Sequence, residues 1–226
     1  MGISGSLAKS LTPKVTKAAP GLSAQFVHEA LRRAINGAGP LPSAAVAADR
    51  QLVEQDGDIE RAIHEVIENH VRLAGAQGFA TNIGGLVTAA FMIPANITGL
   101  ALIQCREVAA IAYLRGYDLT DQRVRNAILA CLLGEDAVKS LLRKKHLPST
   151  PMAIATAPTH DPHLDRVVAA EVASELLTKV AGKRIATTVG RRVPVVGGMF
   201  GAGADAYTTW QIGRYADREL LPRRLR

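Results

Sequence analysis

GFATNIGGLVTAAFMIPANITGLALIQC, from Gly78 to Cys105, lies in a stretch with no charged side chain between Arg72 and Arg106. A membrane-crossing helix needs about 20 predominantly apolar residues, and the run from Ile83 to Ile103 has that length. Its composition argues against a straight span. Gly84 and Gly85 weaken a helix interior, Pro94 removes a backbone donor, and Asn96 and two threonines add polar groups. The halves that remain are about 10 to 14 residues long, a length that suits a buried or re-entrant hairpin. The stretch therefore reads as two helices meeting at a corner over Phe91, Met92, Ile93 and Pro94, with Pro94 at the start of the second.

The rest of the chain agrees with a helical reading. Its 226 residues are 48% hydrophobic, enough for one sizeable core. Aromatic residues make up only 4%, while alanine, leucine, valine and glycine are abundant, a composition of closely packed helices rather than of sheets. The predicted class is all-α. Cys105 and Cys131 lie in apolar helical surroundings without a CxxC spacing, which points to two reduced core residues. Residues 1–22 read as a flexible leader: they contain lysines but no apolar run of the length a secretory signal needs.

The distribution of charge carries more information than its total of +7. From Lys179 onward there are ten basic and three acidic residues, so the net positive charge belongs to the C-terminal segment and residues 1–178 are neutral overall. Such a segment attracts polyanions, either nucleic acid or an anionic membrane leaflet.

Periodicity and capping residues divide residues 23–221 into helices of a single domain, followed by a basic tail over 222–226. Apolar residues at helical spacing from Phe26 to Ala34 predict a helix over 23–36, with Gly37 as its stop. Ser43 is placed to cap a helix running to Gln55, and Asp58 to cap one through Ile59, Ile63, Val66, Ile67, His70 and Val71. The helix after Pro94 is expected to reach Arg115 and stop at Gly116. Thr120 or Asp121 caps the next, and residues 137–145 add a further basic turn or two. Residues 147–162 contain four prolines and no periodicity and read as a linker. Asp161-Pro162 restarts a helix to about Val189, and Val193-Pro194 opens the last, ending near Leu220. In that last helix Gly197, Gly198, Gly201 and Gly203 leave two faces without bulk, as Gly84 and Gly85 do earlier, and such faces permit close approach of a neighbouring helix. The architecture expected is a multi-helix domain around two glycine- and alanine-rich, proline-started helical hairpins.

AGAQGFATNIGG, the proline corner IPANI, IQCREVAAIAYLRGYDL followed by RVRNAILACLLGEDA, and VPVVGGMFGAGADAYTTW together resemble the bacterial EcsC family over roughly residues 60–220. The resemblance implies a helical, glycine-rich domain to which no activity is firmly attached. The family takes its name from an operon that also encodes an ABC transporter, which implies association with a membrane. The Pro-Val-Val-Gly signature is also similar to the hydrophobic domain that ends some membrane-associated GTPases, but the GTPase part has no counterpart here. The leader and the proline-rich segment depart from the family pattern.

Motifs for chemistry are weak. HEVIENH places Glu68, not a histidine, four residues after His64, and His70 falls on another face, so the zinc-protease pattern is not met; His64 and Glu68 amount to half of a metal site. His160 and His163, with Asp161 and Asp165, offer ligand atoms in the proline-rich segment, where helix capping by Asp161 accounts for one of the acids. There is no nucleophile elbow and no supported Cys/His pair. GGMFGAG lacks the Lys-Ser/Thr of a P-loop and any preceding strand. No cofactor is implied, and the basic segment lacks the stacking aromatics and the motifs of a nucleic-acid binder.

Polar residues within the apolar helices are costly unless paired, so Asn96, Gln104, Arg106 and Glu107 on one helix and Asp205, Gln211 and Arg214 on another are expected to form an interhelical network, with Asp205 facing Arg106. The function these features imply is a membrane-associated accessory or interaction protein, peripheral on the cytoplasmic face of the inner membrane, without evident catalytic activity. Its expected contacts are Phe91, Met92, Ile93, Met199, Phe200 and Trp210 with lipid chains and Arg191, Arg192, Arg223 and Arg224 with anionic headgroups; a membrane-protein partner is also compatible. The alternatives are a soluble helical protein holding a lipid or other apolar ligand between its hairpins, and a metal-dependent hydrolase using His64 and Glu68.

Overall fold

A computed structural model describes residues 20–37, 42–83, 89–189 and 194–223, with side-chain surroundings given for residues 24–37, 42–77, 99–175 and 203–223. Among the described residues there are nine helices and no strand: α1 (Pro20–Asn36), α2 (Ala44–Glu54), α3 (Ile59–Ile83), α4 (Ala89–Leu114), α5 (Gln122–Leu132), α6 (Glu135–Arg143), α7 (Pro151–Ala155), α8 (Pro162–Val189) and α9 (Pro194–Glu219). The all-α class predicted from composition is the class observed.

Most helix ends follow from local chemistry. Ser43 accepts from the Val46 amide at 3.2 Å and caps α2, and Asp121 accepts from the Arg123 amide at 2.8 Å and caps α5. Asp58 accepts from the Arg61 amide at 3.0 Å at the start of α3. After α4, Gly116 adopts a φ of 83°, which favours glycine, and the Tyr117 amide donates back to the Ala112 carbonyl at 3.0 Å. Pro162 and Pro194 open α8 and α9, as expected of a residue with no amide to leave unpaired.

Two segments differ from their sequence reading. Helix α4 begins at Ala89 and continues through Pro94, so the break expected over residues 91–94 is absent. As the sixth residue of the helix, Pro94 removes just one i→i−4 hydrogen bond, a modest loss in a helix of 26 residues. Gly84 and Gly85 lie outside the described residues. The proline-rich segment over 147–162 is not a bare linker either. It contains α7, whose Met152 amide donates to Glu219 at 3.2 Å, and it sends Leu147, Ile154 and Ala155 into the core. Here the prolines start helices, one at Pro151 and one at Pro162, instead of keeping the chain extended.

Helix α4 is the axis of the fold. From Val108 to Ala112 five consecutive residues have no exposed surface, and α1, α2, α3, α5 and α9 all pack against this helix. Helix α9 lies along α3, and α8 packs on α1 and α5. The core is built from medium and small side chains, among them Ile63, Ile67, Ile111, Ile128, Leu129 and Ile212, with alanines between them. Close approach is visible at Gly213 on α9, where a Cβ would stand 3.0 Å from the Glu107 Cδ and 3.0 Å from the Ile67 Cγ1.

The ends of α3, α4 and α9 are locked by Arg115. Its guanidinium pairs with both oxygens of Glu60 on α3 and, at 2.6 Å, with Asp217 on α9. Its carbonyl accepts from the Arg223 amide at 2.8 Å, and the Tyr117 hydroxyl donates to the Leu221 carbonyl at 3.0 Å. Arg218 of α9 reaches Glu135 of α6 at 2.6 Å. The Arg115 side chain is 7% exposed and Asp217 15%, so removing the cation leaves a largely buried carboxylate with only its longer contact to Arg214 at 3.3 Å, whereas Glu60 is open to water. Arg115→Ala is therefore expected to lower the unfolding free energy by about 2 kcal/mol, and Glu60→Ala by about 1 kcal/mol or less, measured by urea denaturation.

Candidate functional site

Three regions hold polar or aromatic groups whose placement calls for explanation. The first is the seam between α4 and α9. Gln104 is buried and donates through Nε2 to the Thr209 hydroxyl of α9 at 3.2 Å. One turn further along α4, Glu107 has no exposed surface and neither carboxylate oxygen has a hydrogen-bond partner. It stands against Gly213, where the missing side chain of α9 makes room for it. Burial pushes its carboxyl well above the ordinary 4.5, because an ion taken out of water without a partner is far costlier than the neutral acid. Asp205 is also buried, on the same helix as Thr209.

The second region lies between α2, α3 and α4. Here Pro42, Ala47, Arg50, Gln51, Val66, Asn69, His70, Leu73 and Arg106 line a cleft of about 150 Å³. Arg106 is 8% exposed, and its Nε has no hydrogen-bond partner. Its pKa is lowered first by burial and then by the like charge of Arg50. His70 is 5% exposed; its Nδ1 stands 2.7 Å from the Val66 carbonyl of the preceding turn, and its Nε2 has no partner. Since a carbonyl only accepts, the proton is on Nδ1 and the Nε2 lone pair is left over. Burial, reinforced by the Arg106 charge, brings the His70 pKa down to about 4, so the ring is neutral near pH 7.

The third region is the outer face of α9. Tyr207 and Trp210 are 59% and 42% exposed, with ring centroids 6.0 Å apart and planes inclined by 20°. Gln211 is exposed beside them and donates to the Tyr207 hydroxyl at 3.2 Å. Farther along, Arg214 pairs with Asp217 at 3.3 Å. Arg223 is exposed, its guanidinium 5.5 Å from the centre of the Tyr117 ring.

The remaining expected residues fall as follows. Phe91, Met92, Ile93, Asn96, Gly197, Gly198, Met199, Phe200 and Gly201 lie in α4 and α9, but their side-chain surroundings are outside the described residues, and Arg191, Arg192 and Arg224 are outside them altogether. Gly203 faces open space, with nothing within 4 Å of where a Cβ would stand. His64 is exposed on α3, and Glu68 reaches Arg72 at 3.9 Å. His160 bonds Asp165 at 2.8 Å, and Asp165 in turn accepts from the buried Asn126 at 2.6 Å, which gives this acid a structural task in docking α8 on α5. Among the described residues no three His, Cys, Asp or Glu side chains form a group able to hold a metal ion. Sequence reasoning missed the cleft, since Arg50 was not singled out and His70 was read as one of a row of core-facing positions; the signal present was a histidine and an arginine at otherwise apolar positions.

Glu107 gives a measurable pH dependence. Its carboxyl is raised on folding, so the stability linked to it is complete below the unfolded value near 4.5 and is lost as pH rises towards the folded value. Wild-type protein should lose stability as pH rises above the ordinary carboxyl value of 4.5, and Glu107→Gln, which has no proton to lose, should reduce that slope in thermal melts.

The model of the EcsC protein family matches residues 5–225 of the 226, a wider span than the motifs between residues 60 and 220 suggested, and it takes in most of the leader and all of the proline-rich segment. No curated protein and no solved structure matches the chain. With the match extending over nearly its whole length, this all-helical chain belongs to the EcsC protein family.

Proposed function

We propose that this chain is a peripheral membrane module, attached to the cytoplasmic face of the bacterial inner membrane, that acts as an accessory or interaction protein and not as a catalyst. The observation that supports this reading is the stacked Tyr207–Trp210 pair, two large amphipathic rings left exposed on α9. Exposed tryptophan and tyrosine partition to the headgroup level of a bilayer, where the ring meets apolar chains while its polar edge remains hydrated.

The pair lies within the C-terminal segment that carries the net positive charge, flanked in sequence by Arg191 and Arg192 before it and Arg223 and Arg224 after it. A basic residue near an anionic leaflet contributes about 1 kcal/mol, an attraction that decays within a Debye length of about 8 Å at physiological salt. Aromatic insertion and charge attraction together suit reversible attachment at a surface. Among the described residues no helix is long and apolar enough to cross a membrane, which favours the surface over a span.

Flotation with vesicles tests the proposal. The protein is expected to float with vesicles rich in anionic lipid, to float less with neutral vesicles, and to be released as salt is raised. The double variant Tyr207→Ala, Trp210→Ala should retain its helical circular dichroism and lose several-fold in vesicle binding. Failure to float with either kind of vesicle overturns the reading.

A further inference from the structure

We propose that the cleft between α2, α3 and α4 binds a small oxyanion that also carries a hydroxyl, the chemistry of a hydrogen phosphate or of a phosphomonoester in its singly protonated form, with Arg106 and Arg50 holding the anionic oxygens and His70 Nε2 accepting from the hydroxyl. A guanidinium is always charged and has five N–H donors, and burying it without a partner is costly. Arg106 is nonetheless more than nine-tenths buried; its Nε has no hydrogen-bond partner, and the neighbouring charge acting on it is the like charge of Arg50. Among the described residues it forms no ion pair. Two like charges brought to one cleft, one of them buried, make an arrangement that an anion completes.

His70 narrows the class of anion. Its Nδ1 is occupied by the Val66 carbonyl, so the atom left for a ligand is the acceptor Nε2, which is closed to solvent in this structure and is reached as the imidazole turns toward the cleft. A carboxylate or a sulfate has no proton to give at neutral pH and would set lone pair against lone pair. A singly protonated phosphate has both features: bare oxygens for the two arginines and one hydroxyl for the imidazole. Asn69 lies in the same wall; its Oδ1 accepts from Arg72 at 3.2 Å, which leaves its amide NH2 to donate. The volume of about 150 Å³ corresponds to roughly five waters, which suits one phosphoryl group with some solvent and is too small for an acyl chain.

The site is separate from the aromatic face of α9 and does not rest on the membrane reading. Inorganic phosphate is titrated into the full chain without lipid, followed by calorimetry and by ¹⁵N resonances of the arginine Nε and histidine ring nitrogens. Saturable binding with shifts at Arg106 Nε and His70 Nε2, and weaker binding of sulfate, is the expected result. Arg106→Gln should weaken phosphate by about tenfold or more, and Arg50→Gln, at an exposed position where folding is not at stake, should weaken it in the same direction. Tyr207→Ala, Trp210→Ala should leave it unchanged, so failure here and failure of vesicle attachment are told apart. Two further arms identify the source of the phosphoryl group. Glycerol phosphate binding tighter than phosphate identifies a soluble ester, and vesicles of phosphatidic acid retained better by wild type than by Arg50→Gln identify a lipid headgroup. No shift at either nitrogen up to about 20 mM phosphate, or equal affinity in wild type and Arg50→Gln, overturns the proposal and assigns the cleft to water.

Discussion

A helix that is apolar on every side has to be covered on every side, and α4 is such a helix. Between Ala101 and Leu114 it presents almost no surface to solvent, and five other helices supply the cover. Each of them turns an apolar face to α4, and α3 with α9, and α1 and α5 with α8, also pack on one another, so charge is confined to the faces that remain outside. The alanines at 109, 110 and 112 let neighbouring backbones come close, and Gly213 does the same from the side of α9. The order of the remaining helices around the axis is a solution to that covering problem.

The polar residues of α4 acquire their character from the same constraint. On a surface helix Gln104, Arg106 and Glu107 would be solvated and unremarkable. On an axial helix they are carried into the interior by their neighbours, and the fold deals with each differently. Gln104 finds a hydroxyl on α9, Arg106 comes to the wall of a cleft beside His70 and Arg50, and Glu107 is enclosed against a glycine with no partner for its oxygens. Buried polar groups without partners are few in folded proteins, and two of the residues here that have such groups, His70 and Arg106, line the same cavity. Arg115, at the exit of the helix, also leaves its Nε without a partner, but both of its terminal nitrogens bond acids from α3 and α9 and close the end of the bundle.

What could be read in the sequence was what depends on near neighbours in the chain. The caps at Ser43, Asp58 and Asp121, the stop at Gly116 and the proline starts at 162 and 194 involve bonds spanning a few residues, so the residue type and its position suffice. The family motifs were legible for the same reason, as ordered local strings. Pro94 was misread because a proline weakens a helix without always ending it, and here the helix continues from Ala89 through Pro94 to Leu114. The proline-rich segment was misread because nothing in its own composition reveals that Leu147 and Ile154 have a core to enter.

The sequence by itself determined an all-α chain of the EcsC family, most of its helix ends and the placing of its positive charge near the C-terminus, since these follow from composition, short-range capping and simple counting. Only the tertiary structure decided which charges meet. Arg115 lies 55 residues from Glu60 and 102 from Asp217, and no periodicity connects them. The same holds for the cleft, where Arg50, His70 and Arg106 come from three different helices. Their encounter depends on how α2 and α3 lie against α4, which is settled by the packing of apolar faces and not by any property of the three residues themselves.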